Sequence, residues 1–305
     1  MYFKDIIGQE EIKKRLIHSA QTGVVPHAQL FTEQGGAGAF PLTLAYARYL
    51  NCTNRTETDS CGHCPSCLKY NELAHPDLHF VFPIVSKKDK KKDVCDDYLT
   101  EWRGFLKDRP YFDIDGWLDY IDAGNSQALI YSKESDEIIR KLSLKIYEAT
   151  YRILLVWLPE KLHPTCANKL LKIIEEPPRN TVILMVSELP DLVLGTILSR
   201  AQRINVRGIH PEDIAASMIS RFNLTPEDAK HVAHLANGSY LKAVEAISLG
   251  DRVIVLSERP ATVQQTIPLS FSLEEDTPLH RRNAPEFKSY FNLIWKELNQ
   301  DEKSS

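Results

Sequence analysis

The 305-residue sequence has no surplus of positive charge: 37 lysines and arginines face 41 acidic residues, for a formal net charge of -4. An overall basic field able to hold nucleic acid is thereby excluded, and any DNA contact would have to be local or made by partners. No apolar run approaches the ~18 residues that a spanning helix needs, so no membrane association is expected. The segment from Met1 to Glu11 carries acidic residues and no long apolar core, unlike a signal peptide, and a cytoplasmic location is expected. With 43% hydrophobic and 26% charged residues, the chain reads as an ordinary globular protein of about two domains.

A second shortage is local. The stretch QGGAGAFPLTLA, Gln34 to Ala45, lies between an apolar run at residues 28–32 and a helical pattern reaching Leu50, where a phosphate loop would sit. Such a loop reads G-x-x-x-x-G-K-[ST]: its amides cradle phosphates, its lysine reaches the β and γ phosphates, and its hydroxyl holds Mg²⁺. With Gly35 as the first glycine and Gly38 inside the loop, the second glycine falls on Phe40, the lysine on Pro41 and the hydroxyl on Leu42. Downstream, the strand Tyr151 to Leu158 should end in two carboxylates, for Mg²⁺ and for the attacking water, but ends in Trp157 and Leu158. Two separate elements have lost the same chemistry, so ATP is not expected as a cofactor.

Around these positions the pattern alternates. Residues 10–21 have helical spacing, His79 to Val85 reads as a strand, and Ser132 to Ala149 as a helix with Ile138, Ile139, Leu142 and Ile146 on one face. The runs 151–158 and 181–187 are continuously apolar, as in strands buried on both faces of a parallel sheet. A helix from Thr165 to Glu175 lies between them and stops at Pro177-Pro178. Strands alternating with helices predict a doubly wound α/β domain over 1–207. Residues 86–130 read as an insertion that opens with a charge run, SKKDKKKD, best taken as a solvated loop, and continues with aromatics and small helices. Residues 208–247 are purely helical, a small lid-like domain, and 248–305 form an atypical α+β tail.

Of six cysteines, Cys52, Cys61, Cys64 and Cys67 fall within sixteen residues, spaced C-x8-C-x2-C-x2-C. In a reducing compartment this pattern points to metal rather than to disulfides. Four thiolates close a tetrahedral shell around Zn²⁺ and leave no open position, so a structural zinc module over 52–67 is expected. His63 is then a bystander, Cys95 is ordinary, and Cys166 is a core residue.

The order of FKDIIGQEEIKKRL (Phe3 to Leu16), HAQLF, the glycine loop, the cysteine cluster, NKLLKIIEEPP (Asn168 to Pro178) and ILSRAQ (Ile197 to Gln202) resembles the delta-prime subunits of bacterial DNA polymerase III clamp loaders, over residues 1 to about 247. The resemblance implies an AAA+ P-loop-type fold with an inserted Cys₄ zinc module. It also implies a stator without ATPase activity of its own, the gamma/tau ATPase and delta subunits as partners, and access to primed DNA and the sliding clamp through the complex. It further implies that Ser199 and Arg200 stand where the family's Ser-Arg-Cys motif sends an arginine finger into a neighbour's ATP site, with Ala201 replacing the cysteine. The alternative for Arg200 is a local ion pair on the surface. In the family's second nucleotide sensor an arginine follows the glycine by three residues; after Gly238 that position is Leu241, a third loss.

The tail departs from the family. Ala246 to Ser272 reads as a helix end and two strands, and Pro285 to Gln300 as a helix. This part resembles the C-terminal end of nitrate-, sulfonate- and taurine-type ABC importer ATPases, which suggests a join near residues 243–250, with low order after it and poor burial of Val253 to Leu256. A divergent collar domain is the alternative. Two rival functions follow from parts of the chain: an ABC-transporter ATP-binding fragment, which needs the missing loop groups, and a zinc-dependent nucleic-acid-binding module, which the net charge opposes.

Overall fold

A computed structural model describes residues 1–86, 92–124, 126–222 and 224–248, together with the backbone of two strands further on. The chain divides into two compact units, Met1–Ile209 and His210–Ser305.

The first unit is built on a five-stranded, all-parallel sheet. Its strands are β1 (Ala28–Glu33), β2 (Leu78–Val81), β3 (Arg152–Trp157), β4 (Thr181–Ser187) and β5 (Gln202–Val206), in the order β2-β3-β4-β1-β5. The continuous apolar runs do what their composition dictates: every residue of β3 and of β4 is buried. Helices α1 (Glu10–Thr22), α2 (Ala39–Asn51), α3 (Pro65–Asn71), α4 (Leu99–Asp108), α5 (Ile114–Tyr120), α6 (Ser132–Ser143), α7 (Pro164–Glu175) and the short α8 (Gly195–Leu198) complete it. β1 lies between β4 and β5: the connection that leaves it runs to β2 on one side, and the β4–β5 connection crosses to its other side. The crevice at its carboxyl end is the place where open α/β sheets bind ligands. Helix α2, which starts there, is buried at all 13 residues.

Two expected elements are shorter than their patterns. β2 ends at Val81 rather than running to Val85, because Pro83 has no N–H for the ladder; only an isolated bridge, Ile84 to Leu129, continues the pairing. α6 stops at Ser143 rather than Ala149. The guanidinium of Arg152 donates to the carbonyls of Leu142 and Leu144, and the Asp77 carboxylate takes the amides of Tyr147, Glu148 and Ala149 at 2.8, 3.0 and 3.0 Å. Partners distant in sequence thus satisfy the backbone groups that further turns would have used.

The second unit contains α9 (Pro211–Phe222), α10 (Pro226–Ala236) and α11 (Tyr240–Ser248). Thr225 caps α10 by accepting from the Asp228 amide, and Asn237 ends it in the left-handed conformation. Strands β6 (Arg252–Leu256) and β7 (Val263–Pro268) pair antiparallel, where the sequence predicts two strands. The expected helix over 285–300, the low order expected after 250, the burial of Val253 to Leu256 and most of the charge run lie outside the described residues.

Candidate functional site

The crevice at the end of β1 is occupied by rings. Gly38 is the N-cap of α2 in the left-handed conformation, φ 90°, and the helix begins at Ala39. A phosphate loop places its second glycine at the mouth of the following helix. By position in the fold, therefore, that glycine is Gly38 rather than Phe40. The lysine position is Ala39 rather than Pro41, the hydroxyl position is Phe40 rather than Leu42, and the first-glycine position is Glu33 rather than Gly35. At this register too, neither a lysine nor a hydroxyl stands at the helix mouth. Pro41 sits in the first turn, where a helix amide needs no partner.

Phe40 points into a cluster made with the insertion. Its ring centroid is 5.7 Å from that of Trp102, 5.1 Å from Phe112 and 6.4 Å from Trp157. Trp157 in turn lies 5.3 Å from Trp102 and 5.0 Å from Phe112. The residue at the hydroxyl position of one motif and the residue at the first carboxylate position of the other are thus joined through two aromatics of the insertion. All four are buried. Tyr111 closes the loop from above: a Cβ on Gly38 would come within 2.7 Å of its ring, and its hydroxyl accepts from the Ile7 amide at 3.0 Å. The sequence showed that residues 95–130 are aromatic but not that they fold back into this crevice.

Behind the rings lie carboxyls. Glu33 is 8% exposed and accepts from the Ala39 amide at 3.1 Å. Burial raises its pKa, and the amides of Ala39, Ala37 and Gly38 pull against that rise. Glu188 is pushed up to about 8, first by burial and then by the nearby charges of Glu33, Glu160 and Asp113. Sequence reasoning missed both glutamates; their only signal is position, each standing at or just past the carboxyl end of a central strand. Leu158, at the second carboxylate position, is buried and held in the left-handed region, φ 56°.

The four cysteines converge. Cys52 follows the last residue of α2 and Cys64 caps α3 by accepting from the Cys67 amide. The ligand atoms of Cys52, Cys61, Cys64 and Cys67 all lie within 4.8 Å of one another, close enough to hold a metal ion. A tetrahedral shell with Zn–S bonds of about 2.3 Å spaces its sulfurs about 3.8 Å apart; Cys52 and Cys64 are separated by 3.9 Å. The amides of Cys61 and Cys64 donate to Cys52 and Cys61 sulfur at 3.3 and 3.4 Å. Burial pushes the Cys52 thiol up to about 12. On Cys64 the same burial is outweighed by hydrogen bonds from Thr53 and the Cys67 amide, which bring it down to about 6. Arg48, 1% exposed, interacts with Cys67 and leaves Nε and Nη2 without a partner. A buried guanidinium with free donors beside four thiols fits a site that carries net negative charge when loaded. His63 uses Nδ1 to donate to the Cys61 carbonyl and stays outside the set. Cys95 and Cys166 are buried elsewhere.

Arg200 follows α8 and is partly exposed. Its Nε donates to the Glu175 carboxylate at 2.5 Å, and its Nη1 to the Thr196 carbonyl at 2.8 Å and the Ser199 hydroxyl at 3.2 Å. A shallow groove lined by His27, Ile174, Glu175, Ser199 and Arg200 surrounds it. In the second unit Leu241, at the sensor position, is half-buried on α11, and Lys242 beside it is exposed.

A family profile described as "DNA polymerase III, delta subunit" matches residues 8–210. The DNA polymerase III subunit delta' of Bacillus subtilis is 25% identical over 237 residues, covering 78% of this chain and 58% of the relative. That of Escherichia coli is 26% identical over 238 residues, covering 78% and 59%. The chain thus spans less than two thirds of the length of these relatives. The DNA polymerase III subunit tau/gamma of Haemophilus influenzae is 23% identical over 263 residues, covering 85% of this chain, a larger share than residues 1–247 can supply, and 32% of the relative. Among solved structures, a DNA polymerase III gamma subunit-related protein of Thermotoga maritima aligns with a TM-score of 0.40 at 15% identity, covering 79% of this chain and 62% of that one.

Proposed function

Because the chain belongs to the DNA polymerase III delta-subunit family, we propose that it is a delta-prime-like clamp-loader subunit of AAA+ type that has exchanged nucleotide chemistry for a packed core. It acts as a stator and donates Arg200 to the ATP site of a neighbouring ATPase subunit. The observation that supports the non-catalytic reading is the buried ring cluster Phe40–Trp102–Phe112–Trp157, which stands at the mouth of α2 and the end of β3, where a working site has its hydroxyl and its carboxylate. Without a lysine or hydroxyl at the helix mouth and without a carboxylate on Trp157 or Leu158, charge developing on a transferred phosphoryl group would have no local counter-charge.

Arg200 has the properties that a finger acting in trans requires. It stands on the surface, and its ion pair with Glu175 is half-exposed and worth little, so a phosphate in a neighbour's site can compete for it. Ser199 helps to aim the guanidinium. The partners on this reading are the gamma/tau ATPase and delta subunits, with primed DNA and the clamp reached through the assembly, in the cytoplasm. Among the described residues no helix is long and apolar enough to cross a membrane. The cysteine cluster holds a structural Zn²⁺ that ties the end of α2 to the start of α3 and contributes to folding rather than to reaction.

The test is to mix this chain with the ATPase and delta subunits of its own organism and to follow light scattering and clamp- and DNA-stimulated ATPase. The expected result is a stable complex whose ATPase falls at least about tenfold with Arg200→Ala while its mass is unchanged. Unchanged ATPase in an intact complex sinks the finger, and the absence of any complex sinks the clamp-loader role.

A further inference from the structure

The glycine loop retains one part of a phosphate site, its main chain. Gly36 and Gly38 take left-handed angles, φ 80° and 90°, on either side of Ala37 at the start of α2, and the Ala39 amide there points at the Glu33 carboxyl. Inward-facing amides at a helix N-terminus form a concavity that favours an anion. Ala37 and Ala39 are completely buried, so water does not satisfy these donors. Glu33 does: its Oε2 is 3.1 Å from the Ala39 nitrogen, and the Ala37 and Gly38 amides act on the same carboxyl. The bond with full hydrogen-bond geometry is the one from Ala39, and the Ala37 and Gly38 amides lie near enough to favour the ionised carboxyl.

The place of Glu33 in the motif explains how it gets there. It is the last residue of β1 and stands at the first-glycine position, where a residue without a side chain leaves the concavity open to a ligand. A side chain of that length, rooted on the strand, reaches back across the loop it begins. Tyr111 then lies over Gly38 and closes the opposite side.

We infer that the glycine loop is an anion site whose resident ligand is the chain's own Glu33 carboxyl group, held by the amides of Ala37, Gly38 and Ala39 where a working loop holds a phosphate. The loop is therefore self-liganded, and its geometry is maintained without nucleotide. The inference rests on the proposed loss of nucleotide chemistry and gives it a specific agent.

The experiment uses the full chain, with Glu33→Ala, which empties the concavity, and Glu33→Gln, which keeps its volume and one acceptor oxygen but replaces the other with an NH2 donor that faces the loop's own donors. Melting temperature is measured in a phosphate-free buffer, then with inorganic phosphate, against sodium chloride at matched ionic strength. Amide exchange at residues 37–39 is followed by NMR. The wild type should ignore phosphate. Glu33→Ala should melt lower and regain about half of its loss with phosphate but not with chloride, as expected for a ligand refilling the site. In Glu33→Gln the three amides should exchange about tenfold faster than in the wild type. If Glu33→Ala does not fold, the exchange in Glu33→Gln decides. Wild-type exchange in Glu33→Gln, or no gain from phosphate beyond that from chloride in a folded Glu33→Ala, overturns the inference. ATP is titrated into the wild type alongside. Binding that leaves the three amides unchanged counts against the functional reading alone, whereas binding that alters them shows a phosphate displacing Glu33 and overturns both.

Discussion

Phe40 and Trp157 show how a single position can be legible in kind and illegible in consequence. The sequence shows that neither is a residue able to bind phosphate or Mg²⁺; only the fold shows that they share a cluster. Restoring the motif residues one at a time should therefore harm the protein without reviving it. Phe40→Thr and Trp157→Asp should each destabilise by about 3 kcal/mol, from lost burial and from an unpaired polar group, with no ATP hydrolysis gained; denaturant melts and a phosphate-release assay check both. Glu188 gives the pH dependence. Its folded pKa, about 8, lies above its ordinary value of 4.5, so the native state binds the extra proton. Stability from this group is full below about pH 4.5, declines as pH rises through 8, and is flat beyond. Glu188→Gln should thus leave stability near pH 5 almost unchanged and raise it at pH 8.5 by about 2 kcal/mol, less than the full linkage value because the side chain keeps some contact with water. A denaturation series across pH tests the sign; equal gain at both pH values would remove the carboxyl from this role.

At the scale of elements, the cysteine segment is the part most legible in advance, since spacing alone limits which side chains can converge. The fold added that its ends are the C-terminus of α2 and the N-cap of α3. It also added Arg48, a buried cation with unsatisfied donors on the helix leading into the site. Chelation should release about one zinc per chain and lower the melting temperature, and Cys64→Ser should do the same without chelator. Arg48→Met should keep the fold but weaken zinc retention by roughly 10–100-fold in a chromophoric chelator competition, the usual cost of removing an outer-shell partner. Full retention would mean that Arg48 serves only the Tyr2 ring, on which its guanidinium stacks at 3.7 Å. The ends of β2 and α6 were less legible. Pro83 was in view, but Asp77 and Arg152 terminate α6 from other parts of the chain, and no local pattern announces such partners.

At the scale of the molecule, function on the proposed reading moves outward from the glycine loop: a subunit with rings packed at its loop would offer an assembly rigidity rather than turnover, and Arg200 would be the group that acts on a nucleotide held elsewhere. The chain alone should hydrolyse ATP no faster than buffer, and turnover should appear only after the partner subunits are added; turnover by the purified chain would refute the filled-site reading.

Hydrophobic periodicity and residue type, both local, were enough to determine a parallel α/β unit followed by helices, a glycine loop without the lysine and hydroxyl of a phosphate loop, and a four-cysteine metal pattern. The register of the glycine loop depended on where α2 begins, which is set by Gly38 adopting a left-handed angle beneath Tyr111. The role of the insertion depended on long-range packing of Trp102 and Phe112 against Phe40 and Trp157. The engagement of Glu33 with the loop depended on the main-chain amide of Ala39, which carries no side-chain signature. Sequence records which groups are available; which of them meet is decided by contacts between residues far apart in the chain, and these exist only once the sheet has formed.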